Sequence, residues 1–154
     1  PTRKTNLFLL FKLPSAYICG VRLRAIDAKK AVVTVTHRWI NQNPFNSMYF
    51  AVQSMAAELT TGAIVIKKIR ESKKNISMLV TNHNGRFSKK AVGLITFTCN
   101  DGNLIDEALN RTIATGEGQT ITMKSIGINE NGEEVSAYEF EWSVKLKSKK
   151  IILN

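Results

Sequence analysis

Between Met48 and Ile66 the chain runs nineteen residues with one charged side chain, Glu58. No other part of the sequence limits the fold so strongly. The apolar residues of this run are spread almost all round a helical axis, the pattern of a helix enclosed by protein rather than lying on a surface. A membrane span has about this length. That reading is rejected because Gln53, Ser54, Glu58, Thr60 and Thr61 crowd the centre, and neither a second span nor an aromatic belt accompanies it. Upstream, Asn43-Pro44-Phe45-Asn46-Ser47 offers Asn46 or Ser47 as a cap for the first turn. Lys67, Lys68 and Arg70 close the helix at the negative end of its dipole. A long buried helix is therefore predicted from Met48 to about Arg70.

What can enclose such a helix is read from the flanks. Leu7 to Phe11 reads as a short amphipathic helix, too short and wrongly flanked by Lys12 and Pro14 to be a secretory signal. Val21, Leu23 and Ala25 alternate with Arg22 and Arg24, and Ala31 to His37 is rich in β-branched residues, so two strands joined through Asp27 to Lys30 are expected. After the helix come strand candidates at Asn75 to Asn82 and Ala91 to Cys99, with Asn84-Gly85 read as the turn between them. Asp101 to Ala114 reads as a helical connection ended by Gly116 to Gly118. Thr120 to Ile128 and Val135 to Leu146 form a hairpin around Asn131-Gly132, and in the last strand Tyr138, Phe140, Trp142, Val144 and Leu146 share one buried face. The predicted fold class is α+β: an antiparallel sheet wrapped around one long central helix, with a short N-terminal helix. That arrangement is the hotdog architecture, although the strand count alone also permits other α+β folds. At 154 residues one such domain, 1–154, can bury a self-sufficient core.

Charge narrows the partners. Twenty-two Lys and Arg against twelve Asp and Glu leave the chain at +10, which favours an anionic ligand. Residues 28 to 100 carry eleven basic residues and two acids. Two cysteines, Cys19 and Cys99, have neither CxxC spacing nor a neighbouring His, so no metal is expected and a reducing, cytoplasmic compartment fits.

Glu58 needs a reason to stand where it does, because an unpaired charge in an apolar setting costs several kcal/mol. Ser54 at i−4 and Thr61 at i+3 could supply hydroxyl partners, and Gly62 at i+4 leaves space beside it. Satisfied in this way it is a structural acid; unsatisfied, it is a general base or nucleophile with a raised pKa. The backbone N–H groups at Met48 to Phe50 could polarise a carbonyl oxygen without any side chain.

Asn41-Gln42-Asn43-Pro44-Phe45-Asn46-Ser47-Met48-Tyr49-Phe50, followed by Ala56-Ala57-Glu58-Leu59 and Gly62-Ala63, resembles the hotdog-fold thioesterase superfamily, in a branch near the phenylacetate-pathway acyl-CoA thioesterases. Element order extends the likeness over residues 14 to 146, but its specific part is residues 41 to 63. In that superfamily an Asn, a small-residue turn and His-Gly-Gly introduce the helix, and an Asp or Glu follows two turns later. Without gaps these match Asn43, Tyr49-Phe50-Ala51 and Glu58, so His-Gly is replaced by Tyr49-Phe50. The resemblance implies hydrolysis of an acyl-CoA or acyl-pantetheine thioester. The Phe50 N–H would hold the carbonyl oxygen, Glu58 would activate water or attack, and Asn43 would orient the nucleophile or substrate. Tyr49, Ala51 and Ser54 would line the substrate. It also implies a homodimer, extendable to a homotetramer, with acid and N–H from different subunits.

Coenzyme A carries phosphates, and Arg86, Lys89 and Lys90 could meet them as charge-assisted donors. Lys67, Lys68, Arg70, Lys73 and Lys74 form a second basic cluster. Nucleic acid is a rival partner for this charge, disfavoured because the strands show no aromatic platform and the long helix is apolar where a recognition helix is basic. His37 and His83 suggest no catalytic triad. Three functions are thus expected in order: a thioesterase-like hydrolase needing no cofactor, a non-catalytic acyl-CoA or acyl-chain binding module explained by Tyr49-Phe50, and a basic nucleic-acid-associated protein.

Overall fold

The computed structural model describes residues 2–148, Thr2 by its backbone alone. The apolar run forms helix α3, Phe50–Ser72, about 34 Å long at the usual rise. Ahead of it lie α1 (Thr2–Lys12), α2 (Pro14–Ile18), β1 (Arg22–Ile26) and β2 (Ala31–Thr36). Behind it come β3 (Ile76–Phe87), β4 (Leu94–Cys99), α4 (Leu104–Thr115), β5 (Gln119–Ile128) and β6 (Glu134–Leu146). The strands make one sheet in the order β1-β2-β4-β5-β6-β3, with every neighbouring pair antiparallel.

Residue size explains how this sheet closes on α3. Ala56, Ala57, Gly62 and Ala63 are all buried, and their small side chains let strands approach the helix closely. Inward-facing Val33, Ile95, Phe97, Met123 and Phe140 are buried to within a few per cent. Breaks in register at Leu23/Ala25, Val80/Asn82 and Gly127/Ile128 bend and twist the strands, and α3 touches all six. This is the hotdog fold, as the element order predicts. None of the described helices is long and apolar enough to cross a membrane.

The structure corrects the local reading at several points. Asn84-Gly85 is not a turn: β3 continues to Phe87, with Asn84 opposite Glu139 and Gly85 opposite Tyr138. Gly85 is needed because a Cβ there would stand 2.8 Å from Tyr138 Cε1. β4 accordingly starts at Leu94 rather than Ala91, whose carbonyl instead accepts the Met48 N–H at 2.8 Å. Neither Asn46 nor Ser47 caps α3. Its first flanking residue is Tyr49, which makes no side-chain cap, while Asn46 takes a left-handed conformation (φ 55°) in the preceding turn. The N-terminal helix is two helices, Pro14 starting the second as its fixed φ favours. α1 is not simply amphipathic, since Leu9 is buried while Leu7 and Phe11 face outward.

Candidate active site

Glu58 lies half-buried on α3. A Cβ placed on Gly62 would stand 3.0 Å from Glu58 Oε1 and 3.1 Å from Trp142 Cζ2, so the missing side chain makes room for the carboxylate beside the indole. Neither expected partner serves it. The Thr61 hydroxyl donates to the Glu58 backbone carbonyl at 2.9 Å and accepts the Trp142 indole N–H at 2.9 Å. The Ser54 hydroxyl lies 3.1 Å from the Phe50 carbonyl and 3.2 Å from the Tyr138 hydroxyl. Among the described residues no group gives the Glu58 carboxylate a hydrogen bond or an ion pair. Burial without compensation pushes its pKa above the ordinary carboxylate value.

The start of α3 supplies the complementary feature. The Tyr49 carbonyl accepts the Val52 and Gln53 N–H groups at 3.0 and 3.3 Å. The Phe50 and Ala51 N–H groups find no acceptor among the described residues, as the first turn of a helix dictates. Two donors therefore stand at the positive end of a 23-residue helix.

Asn43 shapes the approach to that end. Its Oδ1 accepts the Phe45 and Ser47 N–H groups at 2.9 and 3.3 Å, and its Nδ2 donates to Ser47 Oγ at 3.0 Å. The Nδ2 also donates to the Met48 carbonyl at 3.4 Å, so the side chain is spent within residues 43–48. Asn43→Ala is expected to cost about 1 kcal/mol, the usual net worth of hydrogen bonds in a partly exposed turn. Thermal denaturation checks it, and an unchanged melting temperature would show that the turn holds itself.

A cleft of about 500 Å³ opens at this end of α3. It gathers five of the sequence-predicted residues, Asn43, Tyr49, Phe50, Lys89 and Lys90. Glu58, Ala51, Ser54 and Arg86 are not among its lining residues. Gln53 and Phe87 are, and sequence reasoning missed both. Gln53 is buried and accepts the Ser136 hydroxyl at 2.8 Å, a pairing across 83 positions that no local signal foretells. Phe87 packs edge-on against Phe50, 6.3 Å between ring centres, and against Tyr138 at 5.7 Å. The basic residues here are partly engaged: Lys89 pairs with Glu133, Arg86 lies 3.9 Å from Glu134, and Lys90 donates to the Phe45 carbonyl at 3.3 Å. Among the described residues no cluster of His, Cys, Asp and Glu could hold a metal ion.

A family model described as a domain of unknown function, DUF4442, matches residues 2–144. The chain belongs to the DUF4442 family. No curated protein matches the sequence. Solved structures do match this DUF4442 fold. A Pseudomonas aeruginosa protein described as a probable thioesterase superposes with a TM-score of 0.84 at 20% identity, over 96% of this chain and 97% of that one. A Chlorobaculum tepidum protein of unknown function follows at TM-score 0.81 and 15% identity, covering 95% and 94%. A Haemophilus influenzae thioesterase gives 0.74 at 12% identity, covering 98% and 94%. At such identities the likeness shows the fold alone, and the chemistry must come from the residues of the DUF4442 chain itself.

Proposed function

We propose that this DUF4442 protein hydrolyses an acyl thioester, acyl-CoA or acyl-pantetheine, as a homodimer. The observation that carries the proposal is the Glu58 carboxylate: half-buried, without a partner among the described residues, and seated where Gly62 makes room for it. A group so placed takes up a proton more readily than a solvated carboxylate, which suits a general base. Glu58 removes a proton from water as the oxygen attacks the thioester carbonyl. The oxyanion rests on the Phe50 N–H, and when it collapses the C–S bond breaks. The proton held by Glu58 then passes to the departing thiolate, leaving a carboxylic acid and a free thiol.

Helix length supports the two-subunit reading. Glu58 lies eight residues beyond Phe50 on one rigid helix, about 12 Å along its axis. A carboxylate and an amide that far apart cannot both reach one carbonyl group, so a second copy must bring its helix start to Glu58. β3 offers the means. It bonds to β6 on one side only, and from Thr81 to Phe87 every residue is exposed. Such an unpaired edge invites another strand. Exposed Tyr49, Phe50 and Phe87 lie at the adjoining end of the helix.

A binding module without turnover is the second reading, favoured by one observation: two aromatic rings, Tyr49 and Phe50, packed edge-on at 5.1 Å, stand at the helix start, where His-Gly would put a smaller pair. Incubating the protein with a panel of acyl-CoAs and a thiol-trapping reagent separates the two. Thiol release is the expected result. Ligand-induced stabilisation with no thiol released would leave only the binding module.

A further inference from the structure

The N-terminal helix is apolar where it meets the protein and apolar again where it does not. Its inner side is tied down: the Asn6 amide donates to the Leu23 carbonyl at 3.0 Å and accepts the Leu23 N–H at 2.9 Å, and Leu9 is buried at 1% exposure. This fixes which residues point out. Leu7 and Phe11, one turn apart, are 56% and 72% exposed, and Phe8 beside them is 40% exposed. The run Leu7 to Phe11 is apolar on its outer as well as its inner side, and an exposed apolar face of this kind expects cover.

Charge says what kind of cover. Residues 2 to 26 hold five basic residues, Arg3, Lys4, Lys12, Arg22 and Arg24, and no acid. None of the five forms an ion pair among the described residues. Arg3 and Lys4 stand four and three residues before Leu7, on the same helical face one turn away. Next to α1, a groove of about 440 Å³ runs between it and α3, lined by Phe8, Leu13, Ile26, Leu59 and Ile66 together with Lys4 and Arg70. The Arg70 guanidinium sits 5.7 Å over the Phe8 ring.

An apolar ridge flanked by unneutralised cations matches a surface that is itself apolar beneath and anionic above. A second copy fits poorly, because it would set one cationic face against another in a chain of net charge +10. Nucleic acid fits poorly too, since phosphates offer nothing to Leu7 and Phe11. We propose that the α1 face docks the protein on an anionic lipid bilayer, with Leu7 and Phe11 entering the acyl boundary and Arg3, Lys4 and Lys12 meeting lipid phosphates. Docking of this kind would leave β3 free, since it lies at the opposite edge of the sheet from β1.

The test is co-sedimentation of the full chain with vesicles of phosphatidylcholine alone and of phosphatidylcholine with phosphatidylserine, at low and high salt. Binding is expected to the mixed vesicles at low salt and to weaken at high salt. Leu7→Ser with Phe11→Ser should lower that binding by roughly tenfold or more, and Arg3→Gln with Lys4→Gln by roughly tenfold. Both pairs should leave the melting temperature unchanged, because the altered side chains are exposed. Equal binding to both vesicle types, no binding, or binding indifferent to both variant pairs would overturn the proposal. So would a fall in molecular mass of the Leu7→Ser, Phe11→Ser protein by light scattering, which would mean that a second copy covers α1.

Discussion

Glu58→Gln is expected to lower kcat by about a hundredfold to ten-thousandfold, the usual contribution of a positioned general base, and at the same time to raise the melting temperature at neutral pH. The pairing of these effects is the diagnostic. Gln keeps the shape of the side chain and removes the charge. The Glu58 pKa in the folded protein lies above its ordinary value because burial disfavours the carboxylate. The folded state therefore binds this proton more tightly than the unfolded chain does. The stability this proton confers is fully present below the unfolded pKa and is lost as pH rises through the raised folded value. At neutral pH the wild-type protein carries the burden of a charge without a partner, and the Gln variant does not. The stability gap should close on acidification. Activity runs the other way: the base must be ionised, so kcat/KM should fall as pH drops through the raised Glu58 pKa. Thermal melts and pH–rate profiles of the two proteins check both signs. A Gln variant that is inactive and also less stable at pH 7 would mean that Glu58 is a structural acid with a partner.

Phe50→Pro is expected to cost a hundredfold to about a thousandfold in kcat, the effect of deleting one oxyanion donor, with little loss of folding. Proline removes the backbone N–H and is well accepted at the first position of a helix. Tyr49 already has φ −60° and ψ 133°, the extended conformation that a residue preceding proline prefers. Phe50→Ala, which keeps the N–H, is the control for the lost ring and should retain most of the activity. Because acid and amide are proposed to come from different subunits, the two dead variants should rescue each other. In a randomly mixed population half the dimers are hybrids, each holding one site with both groups intact, so about a quarter of wild-type activity should return. No recovery on mixing, once subunit exchange is demonstrated, would place both groups in one chain or remove one of them from the mechanism.

Much of this architecture was legible residue by residue. Nineteen residues with one charge announced α3, and the Tyr138-Phe140-Trp142-Val144 alternation announced the buried face of β6. Asn131-Gly132 did make the β5–β6 turn, with Gly132 at φ 78°. The same dipeptide at Asn84-Gly85 misled, because glycine there answers to the ring of Tyr138 on the neighbouring strand and not to a turn. Local chemistry was identical; the difference lay 53 residues away. Ser54 and Thr61 misled for the same reason. Both stand at helical spacing from Glu58, yet Tyr138 and Trp142 of β6 claim their hydroxyls.

The sequence alone decided what is governed by neighbours along the chain: the length and position of the central helix, the alternation that makes strands, the presence of one acid on an apolar rod, and the excess of positive charge. Only the folded chain decided whether that acid has a partner, because hydrogen bonds are allotted among all the groups that packing brings within about 3 Å, most of them remote in sequence. It likewise decided that Leu7 and Phe11 face outward, since the Asn6 clamp on β1, seventeen residues away, sets the rotation of α1. Periodicity names a face; the tertiary contact says which way it looks.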